Sequence, residues 1–152
     1  MSRAAANDVL ASGAGPDTLH ASCVAIAGQA VLIIGASGSG KSALALTLMA
    51  HGATLIADDR TQLSQADGQV FARCPEAIQG KIEARGIGIL RADRLETAPV
   101  RLVVDLDRAE TQRLPPKRQC DLFGVPIDLV FGATCSHLPY AILQYVRAGR
   151  MD

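Results

Sequence analysis

The residues best equipped for chemistry form one run, Gly35-Ala36-Ser37-Gly38-Ser39-Gly40-Lys41-Ser42. It fits G-x-x-x-x-G-K-[ST], the pattern of a loop that cradles phosphate groups. Glycines let the backbone turn tightly and bring its N–H groups against phosphate oxygens. Lys41 can reach the outer phosphates, and the Ser42 hydroxyl can ligate Mg²⁺. The run Val31-Leu32-Ile33-Ile34 before the loop reads as a buried strand, and Ala43-Leu44-Ala45-Leu46-Thr47-Leu48-Met49 after it is rich in helix formers. A helix starting there adds its partial positive charge to the phosphate side. The expected ligand is a nucleoside triphosphate or a similar phosphate.

Acids follow downstream. Ala53-Thr54-Leu55-Ile56-Ala57 reads as a second buried strand, ending in Asp58-Asp59. Carboxylates at a strand end beside a phosphate loop suit a site that handles Mg²⁺. Further on, Glu83 and Arg85 stand two apart in a segment with Gly86 and Gly88. If extended, the pair shares a face, and the glycines leave room for a ligand or another backbone.

These residues need a scaffold. The chain has 152 residues, of which 49% are hydrophobic and only 3% aromatic, with no Trp. That suits one domain with a core of Val, Ile, Leu and Ala. Fifteen basic and 15 acidic side chains balance, which argues against nucleic acid or an anionic membrane as partner. No apolar run approaches the roughly 20 residues of a membrane span, and Asn7 and Asp8 interrupt any secretory signal. Cys23, Cys74, Cys120 and Cys135 lack C-x-x-C spacing, as expected of reduced thiols in a cytoplasmic protein. A zinc site on Cys120, Cys135 and His137 would lack an evident fourth ligand.

In chain order, residues 1–17 read as a mobile tail. Ser22, Val24 and Ile26 alternate with Cys23, Ala25 and Ala27, predicting a half-buried strand. A turn at 27–30 makes it an antiparallel hairpin with 31–34, which puts His20 near the phosphate loop. The loop's helix should end at Gly52. Residues 61–73 predict a hairpin turning at Asp67-Gly68. Residues 90–96 suggest a helical turn and 100–106 a strand. Pro115-Pro116 forbids regular structure around Arg113, and read alone Arg113 is a solvated loop arginine. Gly124 and Pro126 limit 122–131 to an edge strand. Pro139 opens a last helix whose apolar face holds Leu138, Ile142, Tyr145 and Val146.

Taken together, Leu19-His20, the loop at 35–42, Ala57-Asp58-Asp59 and Glu83-Ala84-Arg85-Gly86-Ile87-Gly88-Ile89 resemble the catalytic domain of HPr kinase/phosphorylase over about residues 18–130. The resemblance implies an α/β fold with the nucleotide-binding core of phosphoenolpyruvate carboxykinase, a mixed β-sheet and flanking helices, in one catalytic domain at 18–152. It implies a bacterial, cytoplasmic kinase that uses ATP and Mg²⁺ to phosphorylate a serine of HPr, the phosphocarrier of the sugar phosphotransferase system. Gly35, Ala36, Ser37, Gly38, Ser39, Gly40, Lys41 and Ser42 would bind ATP. Ser42 and Glu83 would ligate the metal, and Asp58 would take the serine proton. Asp59 would hold a metal-bound water, and His20 and Arg113 would complete the site. No arginine occurs in 127–134, where the family carries a basic segment tied to phosphorolysis, so the reverse reaction is not expected. Full-length members form homo-oligomers; the state of this chain is left open. A small-molecule kinase and a non-catalytic ATP-binding regulator are the alternatives on the same core.

Overall fold

A computed structural model describes residues 8–11 and 17–152. Twelve strands and two helices are ordered as β1 (Asp8–Ala11), β2 (Asp17–Leu19), β3 (Ala21–Ile26), β4 (Gln29–Ile34), α1 (Lys41–Ala50), β5 (Thr54–Ala57), β6 (Thr61–Ala66), β7 (Gln69–Arg73), β8 (Lys81–Ala84), β9 (Gly88–Arg91), β10 (Thr97–Asp105), β11 (Arg118–Leu122), β12 (Val125–Phe131) and α2 (Leu138–Ala148). The fold is mixed α/β.

The main sheet runs β1-β11-β12-β10-β4-β3-β5, with β7, β6 and β2 continuing from β10 on a separate branch. The long strand β10 makes this branching. Its start pairs antiparallel with β7, and its later half lies parallel to both β4 and β12. The sheet is therefore mixed: β4, β10 and β12 are parallel, whereas β3 is antiparallel to both β4 and β5.

Two apolar clusters sandwich the central strands. Val24, Ile26, Val31 and Ile33 pack with Leu44 and Leu48 of α1 and with Ile142 and Val146 of α2. Cys23, Ala25, Ala30 and Leu32 face the other way, towards Leu63, Val70 and Ala72 of the branch and Leu122 and Leu129 beyond. The alternation expected of β3 is thus present in direction, but every one of its residues is buried. A central strand covered on both faces has no polar side to show. Each fully buried Leu or Ile here contributes about 1.5–3 kcal/mol, a contribution the near-absence of aromatics makes more important.

The hairpin β3–β4 turns at Ala27-Gly28 with both residues at positive φ and sets Ala21 opposite Ile34. α1 ends at Ala50 with His51 as its C-cap, and Gly52 lies just beyond at φ +102°. The turn at Asp67-Gly68 joins β6 to β7, again at positive φ.

Several expectations need correction. Within the expected tail, Asp8–Ala11 is a strand parallel to β11, and the Phe123 N–H donates to the Ala11 carbonyl at 2.8 Å. An open sheet edge offers hydrogen bonds to any extended segment, so small polar composition did not preclude pairing. Asp17 also lies in a strand, β2, and the tail's other residues, 1–7 and 12–16, lie outside the described ones. The 122–131 stretch is not an edge: β12 is held by β11 on one side and β10 on the other. Pro126 is tolerated because pairing to β10 starts only at Asp128. Residues 90–96 contain no helical turn; strand β9 ends at Arg91, and Arg94 bridges to Leu55.

α2 is anchored by a polar group as well as by its apolar face. Tyr145 donates to Asp128 Oδ2 at 2.8 Å, and Arg101 of β10 donates to the same oxygen at 2.7 Å. Burial alone would raise the Asp128 carboxyl, but the bonds from Arg101 and Tyr145 outweigh it and hold the group below its ordinary value. A carboxylate depressed on folding contributes stability above its unfolded value and loses it as pH falls through the folded one. We expect Asp128→Asn to cost about 1–2 kcal/mol at neutral pH, and the gap to close below about pH 3.9. Urea titration across pH tests this; a gap independent of pH would refute it.

Candidate active site

The antiparallel hairpin delivers the chain from Ile34 into the glycine loop, and α1 begins at Lys41. Gly35 has φ +156°, and a Cβ placed there would lie 2.5 Å from Ser39 Oγ. The loop is therefore folded tightly on itself, with the Ser39 N–H bonded to the Ala36 carbonyl at 3.0 Å. Gly40 precedes α1 at φ +102°, and no side chain caps the helix N-terminus. Lys41 is 6% exposed, and its ammonium donates to the carbonyls of Gly35 and Ala36 at 2.9 and 3.0 Å. A buried cation bonded to neutral carbonyls favours an anion beside it. Ser39 Oγ is buried without a hydrogen-bond partner among the described residues. An uncapped helix start, a buried ammonium and an unsatisfied hydroxyl fit a phosphate-binding loop.

Asp58 follows the last residue of β5 and is 8% exposed. Its Oδ1 accepts from the Ser42 hydroxyl at 2.5 Å and from the Ser22 hydroxyl at 2.8 Å, and its Oδ2 accepts from the Glu83 N–H at 2.9 Å. Asp58 thereby joins β3, β5, α1 and β8. Asp59 adopts φ +69°, a region Asp visits more readily than most side chains. That turn sends it away from Asp58 to the surface, where it bonds His20 Nε2 at 2.8 Å. Their side chains are 63% and 48% exposed. The Asp59 N–H is held by Ser22 Oγ at 3.2 Å.

Glu83 and Arg85 come from the β8–β9 hairpin. The Glu83 side chain is exposed, while its backbone reaches Asp58. Arg85 Nη2 lies 3.8 Å from where a Cβ on Gly38 would stand, so this guanidinium sits over the loop. The segment is not one extended strand: it turns between Ala84 and Gly88. Gly86 at φ +83° shapes that turn, and no atom approaches within 4 Å of a Cβ built on Gly86 or Gly88. Both have positive φ, and no described part of the protein closes on them, so approach of another backbone does not account for these glycines.

Arg113 is not drawn into this group. It is exposed and lines a separate cavity of about 530 Å³ beside α2. Conversely, sequence reasoning passed over three contributors. Ser22 is the polar residue of a wholly buried strand. Asp107 accepts the Ala36 N–H on both carboxylate oxygens, at 3.0 and 2.9 Å. Asp105, 3% exposed, accepts the Asp107 N–H at 2.9 Å and Arg108 Nε at 2.8 Å. Acids at the end of an apolar strand were the signal that marked Asp58, and β10 ends the same way.

Ser42 and Asp58 are hard oxygen donors of the kind Mg²⁺ takes. Among the described residues no group of three or more His, Cys, Asp or Glu side chains converges. A partial set fits Mg²⁺, which usually completes its shell with water and substrate phosphates. The same finding leaves the zinc reading unsupported: Cys120 is 1% exposed on β11. Burial pushes the Cys23 thiol far up, which suits packing and not catalysis.

Fold and site define a mixed α/β domain organised on a strand, a glycine loop and a helix. Residues 13–119 match the family model of the HPr serine kinase C-terminal domain, and the chain belongs to that family. HPr kinase/phosphorylase of Bordetella pertussis is 39% identical over 123 residues, covering 72% of this chain and 40% of the relative. That of Acidovorax sp. is 42% identical over 125 residues, covering 72% and 39%. The chain thus spans about two-fifths of the length of these relatives. The solved structure of the HPr(Ser) kinase/phosphatase from Coxiella burnetii superposes with a TM-score of 0.75 at 27% identity, covering 86% of this chain and 94% of that one.

We expect Gly35→Ala to destabilise the fold by about 1–3 kcal/mol, since it combines a strained φ with a clash against Ser39. An unchanged denaturation midpoint would show that the loop is looser than its geometry.

Proposed function

We propose that this chain is an ATP- and Mg²⁺-dependent protein serine kinase acting on the phosphocarrier HPr. The observation that carries the reading is the 2.5 Å contact of Ser42 with Asp58, which couples the loop's serine to a strand-end carboxylate. Family membership supports the acceptor, since the relatives are named for HPr. The mixed sheet, with β3 antiparallel to β4, supports a core of the phosphoenolpyruvate carboxykinase type.

In this reading residues 35–42 hold the triphosphate, with Lys41 against its outer charge. Mg²⁺, when bound, neutralises phosphate charge, and Ser42, Glu83 and the Asp58 side of the site would hold it. The acceptor hydroxyl forms a bond to the terminal phosphorus, the bond to the bridging oxygen breaks, and ADP leaves with that electron pair. The acceptor proton goes to Asp58; its Oδ1 would be relieved of the Ser42 hydrogen bond if that hydroxyl held the metal. His20 and Asp59 form the exposed rim. That exposure supports a macromolecular acceptor over a small molecule, which would need an enclosed pocket. A second reading makes Asp59 the proton acceptor, favoured by its open position. Arg113 would join the transfer only from outside the hydrogen-bonded group. A cytoplasmic location follows from ATP and HPr as substrates. The reverse phosphorolysis is left out of this reading, because 127–134 carries no arginine.

Incubation of HPr with the chain and MgATP should add one phosphoryl group to a serine, read by mass spectrometry; tight nucleotide binding without transfer would favour a regulator. Lys41→Ala should cut transfer about 10²–10³-fold, the scale of losing one transition-state donor. Asp58→Asn should lower it about 10²–10⁴-fold, whereas a deeper loss in Asp59→Asn would move the proton to the second acid. For Glu83→Gln, the Mg²⁺ concentration giving half-maximal rate should rise; an unshifted curve would remove Glu83 from the metal.

A further inference from the structure

Every residue of β3 is buried, and Ser22 is its one polar side chain. Ser22 shares a face with Val24 and Ile26, which pack with Leu44 and Leu48 of α1. An apolar side chain would serve packing there as well, and a hydroxyl withdrawn from water costs free energy unless it is bonded. Ser22 bonds in both directions. Its hydroxyl donates to Asp58 Oδ1 at 2.8 Å, and its oxygen accepts the Asp59 N–H at 3.2 Å. It also stands opposite Ile33, on the strand that delivers the chain to the glycine loop. One buried hydroxyl therefore ties both acids to the strand pair that carries the loop.

We propose that Ser22 is a positioning residue for phosphoryl transfer, an inference that rests on the kinase reading with Asp58 as proton acceptor. Wholly buried, it touches neither nucleotide nor acceptor and acts through the two acids. Asp58 Oδ1 takes two hydroxyl donors, Ser42 and Ser22, whereas Oδ2 takes the Glu83 N–H. If Ser42 holds the metal, as that reading has it, one donor remains on each oxygen: Ser22 on Oδ1 and the Glu83 N–H on Oδ2. Both come from strand residues, on β3 and β8, and not from the glycine loop. Such a carboxylate cannot rotate about its Cβ–Cγ bond without breaking both hydrogen bonds. The lone pair that Ser42 vacates then keeps its direction, towards the end of the loop, where the acceptor proton must arrive. Without Ser22, Oδ1 keeps no donor among the described residues at that stage. The Asp59 turn at φ +69° loses its tether as well.

Steady-state transfer from MgATP to HPr, with the nucleotide varied, tests the assignment. Ser22→Ala should lower kcat about 10–10²-fold, the scale of a misplaced catalytic group. It should leave KM for ATP within about twofold, as expected of a contact that matters in the transition state. Ser22→Thr keeps the hydroxyl and should recover most of kcat. A purely structural role would lower the melting temperature of Ser22→Ala without this split or this rescue. Ser22→Cys nearly keeps the volume but donates weakly. It should fall with the Ala variant, and it decides should Thr not fit the buried strand. Wild-type kcat in Ser22→Ala or Ser22→Cys, a folded Ser22→Thr as slow as Ser22→Ala, or kcat lost only together with nucleotide affinity would each overturn the positioning role. If wild type moves no phosphoryl group to HPr, the kinase reading itself fails, and this inference with it.

Discussion

One buried carboxylate holds the site together. Asp58 accepts from Ser22, Ser42 and the Glu83 backbone, and these come from a central strand, the first turn of α1 and a separate hairpin. A carboxylate 8% exposed is costly unless its lone pairs are filled, so burial itself demands that the three elements converge. The consequence reaches the neighbouring residue. With Ser22 Oγ also holding the Asp59 N–H, the backbone turns into the left-handed region and presents Asp59 and His20 to solvent. Burial of the first acid thus fixes the exposure of the second.

The strands explain why that carboxylate stays where it is. β3 and β4 are covered on both faces, one by the helices and the other by the curled branch and the β11–β12 side. Aliphatic side chains fill most of these layers, with Phe123 and Phe131 as the aromatic members of one of them. The loop therefore leaves a strand packed on both faces and enters a helix packed against it. Thr61, wholly buried, adds a bond to the Ala21 carbonyl at 2.9 Å, fixing the start of β3 next to His20.

Local chemistry made part of this legible in the sequence. The glycine loop, the hairpin before it, the Asp67-Gly68 turn and the Pro139 helix start each follow from φ requirements or missing N–H groups, and a short stretch suffices to show them. What depends on distant pairing was not legible. Nothing in Asp8–Ala11 announces that β11 has an open edge, and Pro126 looked like an edge signal because nothing local shows that the pairing of β12 to β10 starts only at Asp128. Gly86 and Gly88 illustrate a different ambiguity: glycine serves close approach and positive φ alike, and only coordinates separate the two. Ser22 and Asp107 were hidden because a lone polar residue gains meaning only from what it faces.

The site divides between buried groups that hold geometry and exposed groups that face solvent. Lys41, Asp58, Ser22 and Asp105 are each under a tenth exposed, and every one of them bonds to backbone or side chains that shape the loop. His20, Asp59 and Glu83 lie open. A transfer centre needs this split, because charge stabilisation is strongest where the surroundings are preorganised and dry, while a protein acceptor needs an unobstructed approach. The arrangement also explains why the acids come as an adjacent pair. Two neighbouring carboxylates in one environment would repel, but a single backbone turn at Asp59 places one in the interior and its neighbour in water.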